Sequence, residues 1–239
     1  MNDVIRTIYN TGCVQDANGN SYPHNTSSVS FEAGHLLYEF IRAHKPLKTL
    51  EIGMAYGIST LFICQALHDN GCGHHTVIDP FEETVWNSIG LLNIEHAKLT
   101  DLLRFFQSPS DQVLSQLSAQ NEQFDFVFID GNHLFDYALV DFFFADKLLS
   151  LDGHIAIDDL WMPSVRKVAS FVLRNKPYEL LRLSSTYLPT KGKYVLQTGR
   201  RIIQNPFGRD WQLKFNRGNV AFLKKVADEN RDWRFHRSF

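Results

Sequence analysis

The sequence predicts a doubly wound α/β fold on a mostly parallel, seven-stranded sheet, and three observations carry that expectation. From residue 48 to about 182, short apolar runs rich in β-branched and aromatic residues alternate with longer stretches of helical spacing, the pattern of repeated β-α-β units. The first run, Thr49-Leu50-Glu51-Ile52-Gly53, passes through a second glycine, Gly57, straight into a helical stretch, a strand-turn-helix junction. The 239 residues, 44% hydrophobic and 21% charged, suffice for one large core and lie far from the composition of disordered chains.

Each element has its own signal. Residues 31–44 read as a lead-in helix; strands are expected at 49–53, 75–79, 103–107, 124–130 and 154–158. Apolar residues at helical spacing predict helices at 58–69, 83–98, 110–120, 134–149 and 163–175. A sixth strand follows at 178–183 and a seventh at 219–226. The polar stretch between them, with Pro189, Gly192, Gly199, Pro206 and Gly208, is too long for an ordinary connection, so 184–218 reads as an insertion or lid. Residues 1–30, with Gly12, Gly19 and Pro23, read as an irregular arm that orders over a ligand. The chain is taken as one domain, 1–239.

Charge narrows the partners. A formal net charge of -2, from 24 basic and 26 acidic residues, gives no global positive field to attract phosphate backbones or anionic lipid. The locally basic stretches 191–201 and 209–225 fit a solvated lid or a homo-oligomer contact better than a nucleic-acid surface. Three cysteines without C-x-x-C spacing suggest neither a disulfide framework nor a thiolate zinc site, and a reducing cytoplasm is the expected setting. No secretory h-region and no run of eighteen apolar residues is seen, so no membrane partner is expected. A small molecule is the expected ligand.

In an open doubly wound sheet, ligands bind beyond the carboxyl ends of the strands. Those ends are acidic here. The first strand leads into Glu51-Ile52-Gly53-Met54-Ala55-Tyr56-Gly57-Ile58-Ser59, where glycines permit close approach of a ligand and the helix N-terminus offers free N–H groups. The second strand ends at Asp79, whose carboxylate can accept hydrogen bonds from the two hydroxyls of a ribose. A dinucleotide enzyme would carry G-x-G-x-x-G, but Gly53 and Gly57 are separated by three residues and position 55 is Ala.

With these residues in view, the segment from Leu47 to about Lys176 resembles the class I S-adenosylmethionine-dependent methyltransferases, whose first motif is an acidic residue, x-Gly-x-x-x-Gly, followed by a second acidic residue ending the next strand. The resemblance implies a Rossmann-like sheet with an antiparallel last strand. It places Glu51, Gly53, Met54, Tyr56, Gly57 and Ser59 around the methionine part of S-adenosylmethionine, Asp79 at the ribose, and Ser110 and Asp111 at the adenine.

A second acidic group follows the fourth and fifth strands: Asp130-Gly131-Asn132-His133 and Asp158-Asp159. If those strands are neighbours, the carboxylates of Asp130, Asp158 and Asp159 converge, and a divalent cation is the natural counter-charge, Mg²⁺ first, with Mn²⁺ or Ca²⁺ open. This half resembles the metal-dependent O-methyltransferases of macrolide and antibiotic sugars and the cephalosporin-hydroxylase-like proteins grouped with them. The resemblance implies Asp130, Asp158 and Asp159 as metal ligands and His133 as general base. Plainer roles stay open: Asp158 or Asp159 as N-cap of the helix near 163, and Phe142-Phe143-Phe144 as core packing. Metal-assisted O-methylation of a hydroxylated small molecule is the expected function, against a non-catalytic S-adenosylmethionine-binding or partner-binding protein and a different metal-dependent activity.

Overall fold

β6 (Phe124–Ile129) shows why this chain builds a two-sided sheet: Phe126 and Phe128 point into one apolar layer, Phe124, Val127 and Ile129 into the other, so both faces need cover. The computed structural model describes residues 2–183, 213 and 218–239. Its large sheet contains β3 (Lys48–Ile52), β4 (His74–Ile78), β5 (Leu103–Phe106), β6, β7 (Leu149–Ile157), β8 (Tyr178–Leu183) and β9 (Ala221–Lys225). The order is β5-β4-β3-β6-β7-β9-β8. The β3–β4, β4–β5, β3–β6 and β6–β7 pairs are parallel, and β9 runs antiparallel to both β7 and β8. This is the expected Rossmann-like sheet of seven strands, including the antiparallel last strand.

Helices cover both faces. Leu37 and Ile41 of α2 (Phe31–His44) and Phe62 and Leu67 of α3 (Ile58–Asn70) share one apolar layer with Phe126 and Phe222. Leu114 of α5 (Ser110–Ala119), Phe142 of α6 (Phe135–Leu148) and Val168 and Val172 of α7 (Pro163–Asn175) pack with Leu50, Val127 and Ile155 on the other. Of the aromatic run, Phe142 is buried in this core while Phe143 is exposed. The sheet order reverses beside β3, whose neighbours are β4 and β6, so a crevice opens over the carboxyl ends of these strands.

The structure departs from the sequence expectation in two places. Residues 2–30 are not irregular: α1 (Asp3–Thr11) buries Ile5 and Ile8, and a hairpin of β1 (Cys13–Gln15) and β2 (Ser21–Pro23) follows. The helix has nine residues, held between the Asn2 side chain, which accepts from Val4 N–H, and a left-handed Gly12. Such a short helix depends on tertiary packing more than on its own propensity, which hides it in the sequence. The helix expected at 83–98 begins only at α4 (Ile89–His96), because Asn87 and Ser88 take left-handed backbone (φ 52° and 57°). Glu82 caps this late start, its Oε1 accepting from Leu91 N–H at 3.0 Å. The stretch expected as an insertion or lid, 184–218, lies outside the described residues apart from Leu213 and Gly218. Among the described residues no helix is long and apolar enough to cross a membrane.

Candidate cofactor and metal site

A cavity of about 1310 Å³ opens over the strand ends of β3, β4, β6 and β7. Its wall contains Gly53, Met54, Ser59, Asp79, Ser110 and Asp111 of the expected cofactor residues. Asp130, His133, Asp158 and Asp159 of the expected metal and base residues also line it. Glu51, Tyr56 and Gly57 do not.

Asp79 organises the loop after β3. Its Oδ2 accepts from the N–H groups of Met54 and Ala55, both at 2.9 Å, and its Oδ1 accepts from Phe81 N–H at 2.7 Å. A carboxylate offers about four acceptor sites, so roughly one remains for a ligand hydroxyl. The two glycines serve close packing between loops. A Cβ on Gly53 (φ 92°) would stand 2.2 Å from the Asp130 carbonyl oxygen, and one on Gly57 (φ 71°) would stand 2.9 Å from Gly90 Cα.

Glu51 lies beneath the loop, fully buried. Its Oε2 accepts from Thr60 Oγ1 at 2.7 Å and pairs with His75 Nε2 at 2.8 Å, while His75 Nδ1 meets Thr49 Oγ1 at 2.8 Å. The other oxygen, Oε1, has no hydrogen-bond partner among the described residues. Tyr56 packs its ring edge-on to Trp86.

The second group stands at the ends of β6 and β7, which are paired as neighbours. One ligand atom each from Asp130, His133 and Asp159 lies within 4.8 Å of the others. His133 Nε2 is 2.8 Å from Asp159 Oδ2 and 3.5 Å from Asp130 Oδ1, yet is buried and makes no well-aligned hydrogen bond among the described residues. Ser164 fixes the His133 backbone by donating to its carbonyl at 2.6 Å. Asp159 sits in left-handed backbone (φ 53°), uncommon for a non-glycine residue, and accepts from the Trp161 indole at 2.7 Å. The Asp158 carboxyl is outside the closest group. Its Oδ1 accepts from Asp159 N–H and from the Asn219 side chain. Neither aspartate caps α7, whose N-cap is Met162.

The electrostatics of this group are unbalanced. Burial, with the Asp159 charge, pushes the Asp130 carboxyl up to about 6. Burial and the charges of Asp130 and Asp159 push Asp158 well above the usual carboxylate range. Hydrogen-bond proximity to Asp130 and Asp159 raises His133 to about 10. Burial alone would raise Asp159 too, but its contact with His133 and the donors Trp161 and Asn219 hold it below its usual value. An oxygen-rich donor set, mutually repelling carboxylates and a buried ring nitrogen without an aligned partner are features that suit a divalent cation.

Within the arm expected to order over a ligand, Asn25 and Ser27 to Ser30, between the hairpin and α2, form one wall of the cavity, and Ser30 is also the N-cap of α2. Two further contributors carried no visible sequence signal. Asn219, on the approach to β9, reaches Asp158. Asp141 of α6 enters the wall from below, buried, and accepts from Ser110 Oγ at 2.6 Å.

Residues 50–160 match the model of a family described as a methyltransferase domain. Over 148 residues the chain is 30% identical to the caffeoyl-CoA O-methyltransferase of Populus kitakamiensis, an alignment covering 59% of this chain and 58% of that protein. The Zea mays caffeoyl-CoA O-methyltransferase 1 is 32% identical over 148 residues, 60% of this chain and 55% of its own length. The chain thus spans less than two thirds of the curated relatives it matches. Among solved structures, the O-methyltransferase of Bacillus cereus in complex with S-adenosylhomocysteine shares the fold with a TM-score of 0.62 at 18% identity, covering 94% of this chain and 90% of that one. An O-methyltransferase of Streptomyces achromogenes involved in tomaymycin synthesis shares it at 0.62 and 16% identity, over 84% and 82%. By the matched domain, by sequence over part of its length and by fold, the chain is similar to class I S-adenosylmethionine-dependent methyltransferases, small-molecule O-methyltransferases among them.

Proposed function

We propose that the protein transfers the methyl group of S-adenosylmethionine to a hydroxyl of a small molecule, with a divalent cation held by Asp130 and Asp159, Asp158 beside them, and His133 as base. The observation that carries this reading is one continuous cavity of about 1310 Å³ joining the Gly53–Asp79 strand ends to the acid and histidine cluster. A pocket for one ligand commonly measures about 300–1,000 Å³, so this one has room for a nucleoside cofactor and an acceptor side by side.

S-adenosylmethionine supplies an already electrophilic methyl, so the protein's task is to hold an oxygen nucleophile in line and remove its proton. A divalent cation, when bound, supplies Lewis-acid charge that lowers the pKa of the acceptor hydroxyl. Asp130 and Asp159 are the residues that would hold such a cation. His133, whose Nε2 lies 2.8 Å from Asp159 Oδ2 and 3.5 Å from Asp130 Oδ1, is the group that would take the hydroxyl proton. Trp161, 45% exposed on the wall, offers a flat face to an acceptor ring.

The acceptor is read as uncharged or cationic. Asp79, Asp111, Asp130, Asp136, Asp158 and Asp159 line the cavity, and no Lys or Arg stands among its described lining residues.

The test is transfer of labelled methyl from S-adenosylmethionine to vicinal-diol sugars and phenols, with Mg²⁺ or with chelator. The reading expects Mg²⁺-dependent transfer that His133→Asn lowers at least 100-fold in kcat, with Mg²⁺ affinity little changed. No transfer to any acceptor with cofactor bound would favour a non-catalytic binding protein. The grouping of His133 with Asp130 and Asp159 supports a second reading in which His133 is a metal ligand. A His133→Asn variant that loses Mg²⁺ affinity together with kcat would decide for it.

A further inference from the structure

We infer that Glu82 is a positioning residue for the loop 53–57, acting through Gly90 of α4, and that it holds this loop in its binding form while its carboxyl carries a proton. The inference rests on the S-adenosylmethionine reading above, which assigns that loop to the cofactor.

The contacts run in a chain behind the cavity. Glu82 is fully buried and does not line the cavity, whereas Pro80, Phe81 and Trp86 on either side of it do. Its Oε1 accepts from Leu91 N–H at 3.0 Å, and the Gly90 N–H also donates to the carboxyl. Gly90 in turn rests on the loop: a Cβ there would stand 2.7 Å from the Ala55 carbonyl oxygen and 3.2 Å from Gly57 N. Asn93, further along α4, donates to the Tyr56 carbonyl at 2.9 Å. Between Glu82 and α4 the chain makes a tight turn, the Phe81 carbonyl accepting from Thr84, Val85 and Trp86 N–H, and then passes through left-handed Asn87 and Ser88. Ala55 is left-handed as well, at φ 48°. Non-glycine residues keep such backbone only where their surroundings impose it, so both sides of this contact have strain to release when the contact parts.

The Glu82 carboxyl is an unstable pin when ionised. Its Oε2 has no hydrogen-bond partner among the described residues, and a bare oxygen at this depth costs far more as part of a charge than as part of a neutral acid. Asp79, at the end of β4, is the charge that faces it; the first turn of α4, Ile89-Gly90-Leu91-Leu92, and the loop 53–57 bring no Asp, Glu, His, Lys or Arg. Burial pushes the Glu82 carboxyl up to about 7, with the Leu91 and Gly90 N–H groups opposing the rise and the Asp79 charge adding to it. If α4 parts from the loop and Glu82 meets water, the carboxyl titrates near its ordinary value of about 4.3. The raised value belongs to the closed arrangement, so closure is favoured while Glu82 is protonated and loses weight as pH rises from about 4.3 through about 7. Between pH 6 and pH 8 the loss is up to about tenfold, and cofactor affinity scales with the closed fraction.

The test is calorimetric titration of the full chain and of Glu82→Gln with S-adenosylhomocysteine at pH 6 and at pH 8. Gln matches the protonated acid in shape, keeps an acceptor for Leu91 and Gly90, and cannot ionise. Protonation of the ligand and of Asp130, whose carboxyl stands at about 6, is common to both proteins and drops out of their affinity ratio. Affinities should agree within about twofold at pH 6, and at pH 8 the variant should bind at least about threefold tighter than the wild type. A ratio that is the same at both pH values, whatever its size, overturns the inference and leaves Glu82 a structural cap. If the variant fails to fold, hydrogen exchange of the ligand-free wild type decides, with rates corrected for the intrinsic effect of pH. Protection over 82–91 should fall from pH 6 to pH 8 while that of β3 and β6 holds, and unchanged protection over 82–91 overturns the inference. A wild type that binds no S-adenosylhomocysteine at either pH removes the cofactor reading and the inference with it, a result distinct from a constant ratio.

Discussion

The two ends of the cavity treat their carboxylates in opposite ways. Asp79 is met by three backbone N–H groups, from Met54, Ala55 and Phe81, so its charge is compensated before any ligand arrives. Asp130, Asp158 and Asp159 stand together with His133 nearby, and two of the three are pushed upward by burial and mutual repulsion. One end is preorganised by the chain itself; the other holds carboxylates that burial and mutual repulsion disfavour, a cost that protonation or an added cation relieves. The same residue type therefore stabilises the fold at one end and strains it at the other.

Neutralising substitutions should break this symmetry most visibly. Asp79→Ala removes the acceptor for three N–H groups in a buried turn, and the ligand-free protein should lose about 3 kcal/mol, measured as a fall in Tm of roughly 6–12 °C. Asp158→Asn keeps an oxygen that can accept from Asp159 N–H and the Asn219 side chain while removing a charge. In chelator at pH 8 it should raise stability by about 1–2 kcal/mol and abolish any stabilisation by Mg²⁺. A loss of stability in Asp158→Asn would mean that the cluster is not strained.

The pH dependence sharpens the same contrast. Asp130 and Asp158 have raised folded pKa values, so their contribution favours folding while they are protonated and is lost as pH rises from the unfolded carboxylate value, about 4, through about 6 and beyond. Thermal unfolding in chelator should show wild-type Tm declining between pH 5 and 8 more steeply than that of Asp158→Asn. A smaller signal comes from His133, held up to about 10 by its two carboxylate contacts and therefore protonated at pH 8. Mg²⁺ binding should release up to one proton. Titration heats in buffers of different ionisation enthalpy should reveal that release in the wild type and not in His133→Asn.

The sheet was legible because a parallel strand buried on both faces must be a short continuous apolar run, and 124–130 stood out against polar neighbours. The acidic strand ends were legible for a related reason: Asp79, Asp130 and Asp158 interrupt apolar sequence where the sheet meets the cavity. What stayed hidden was set by tertiary contact. Nothing local distinguishes Glu51, buried with His75 and Thr60, from an acidic residue that lines a site. Gly53 signals a special backbone but not that its neighbour is the Asp130 carbonyl. Asp141 sits on a helix otherwise read as a cover for the sheet, and only the approach of Ser110 from α5 marks it as part of the cavity. The nine-residue α1 is stabilised by burying Ile5 and Ile8 against the domain, which a periodicity reading of so short a segment cannot weigh.

The most direct measurement of the central claim is calorimetric titration of the wild type and of Asp79→Ala with S-adenosylmethionine, each with Mg²⁺ and with chelator. The account predicts one-site binding to the wild type in either condition, weakened at least 100-fold in Asp79→Ala under conditions where that variant remains folded. Absence of binding to the wild type, or equal affinity in the folded variant, would contradict the assignment of the Gly53–Asp79 end of the cavity to the cofactor.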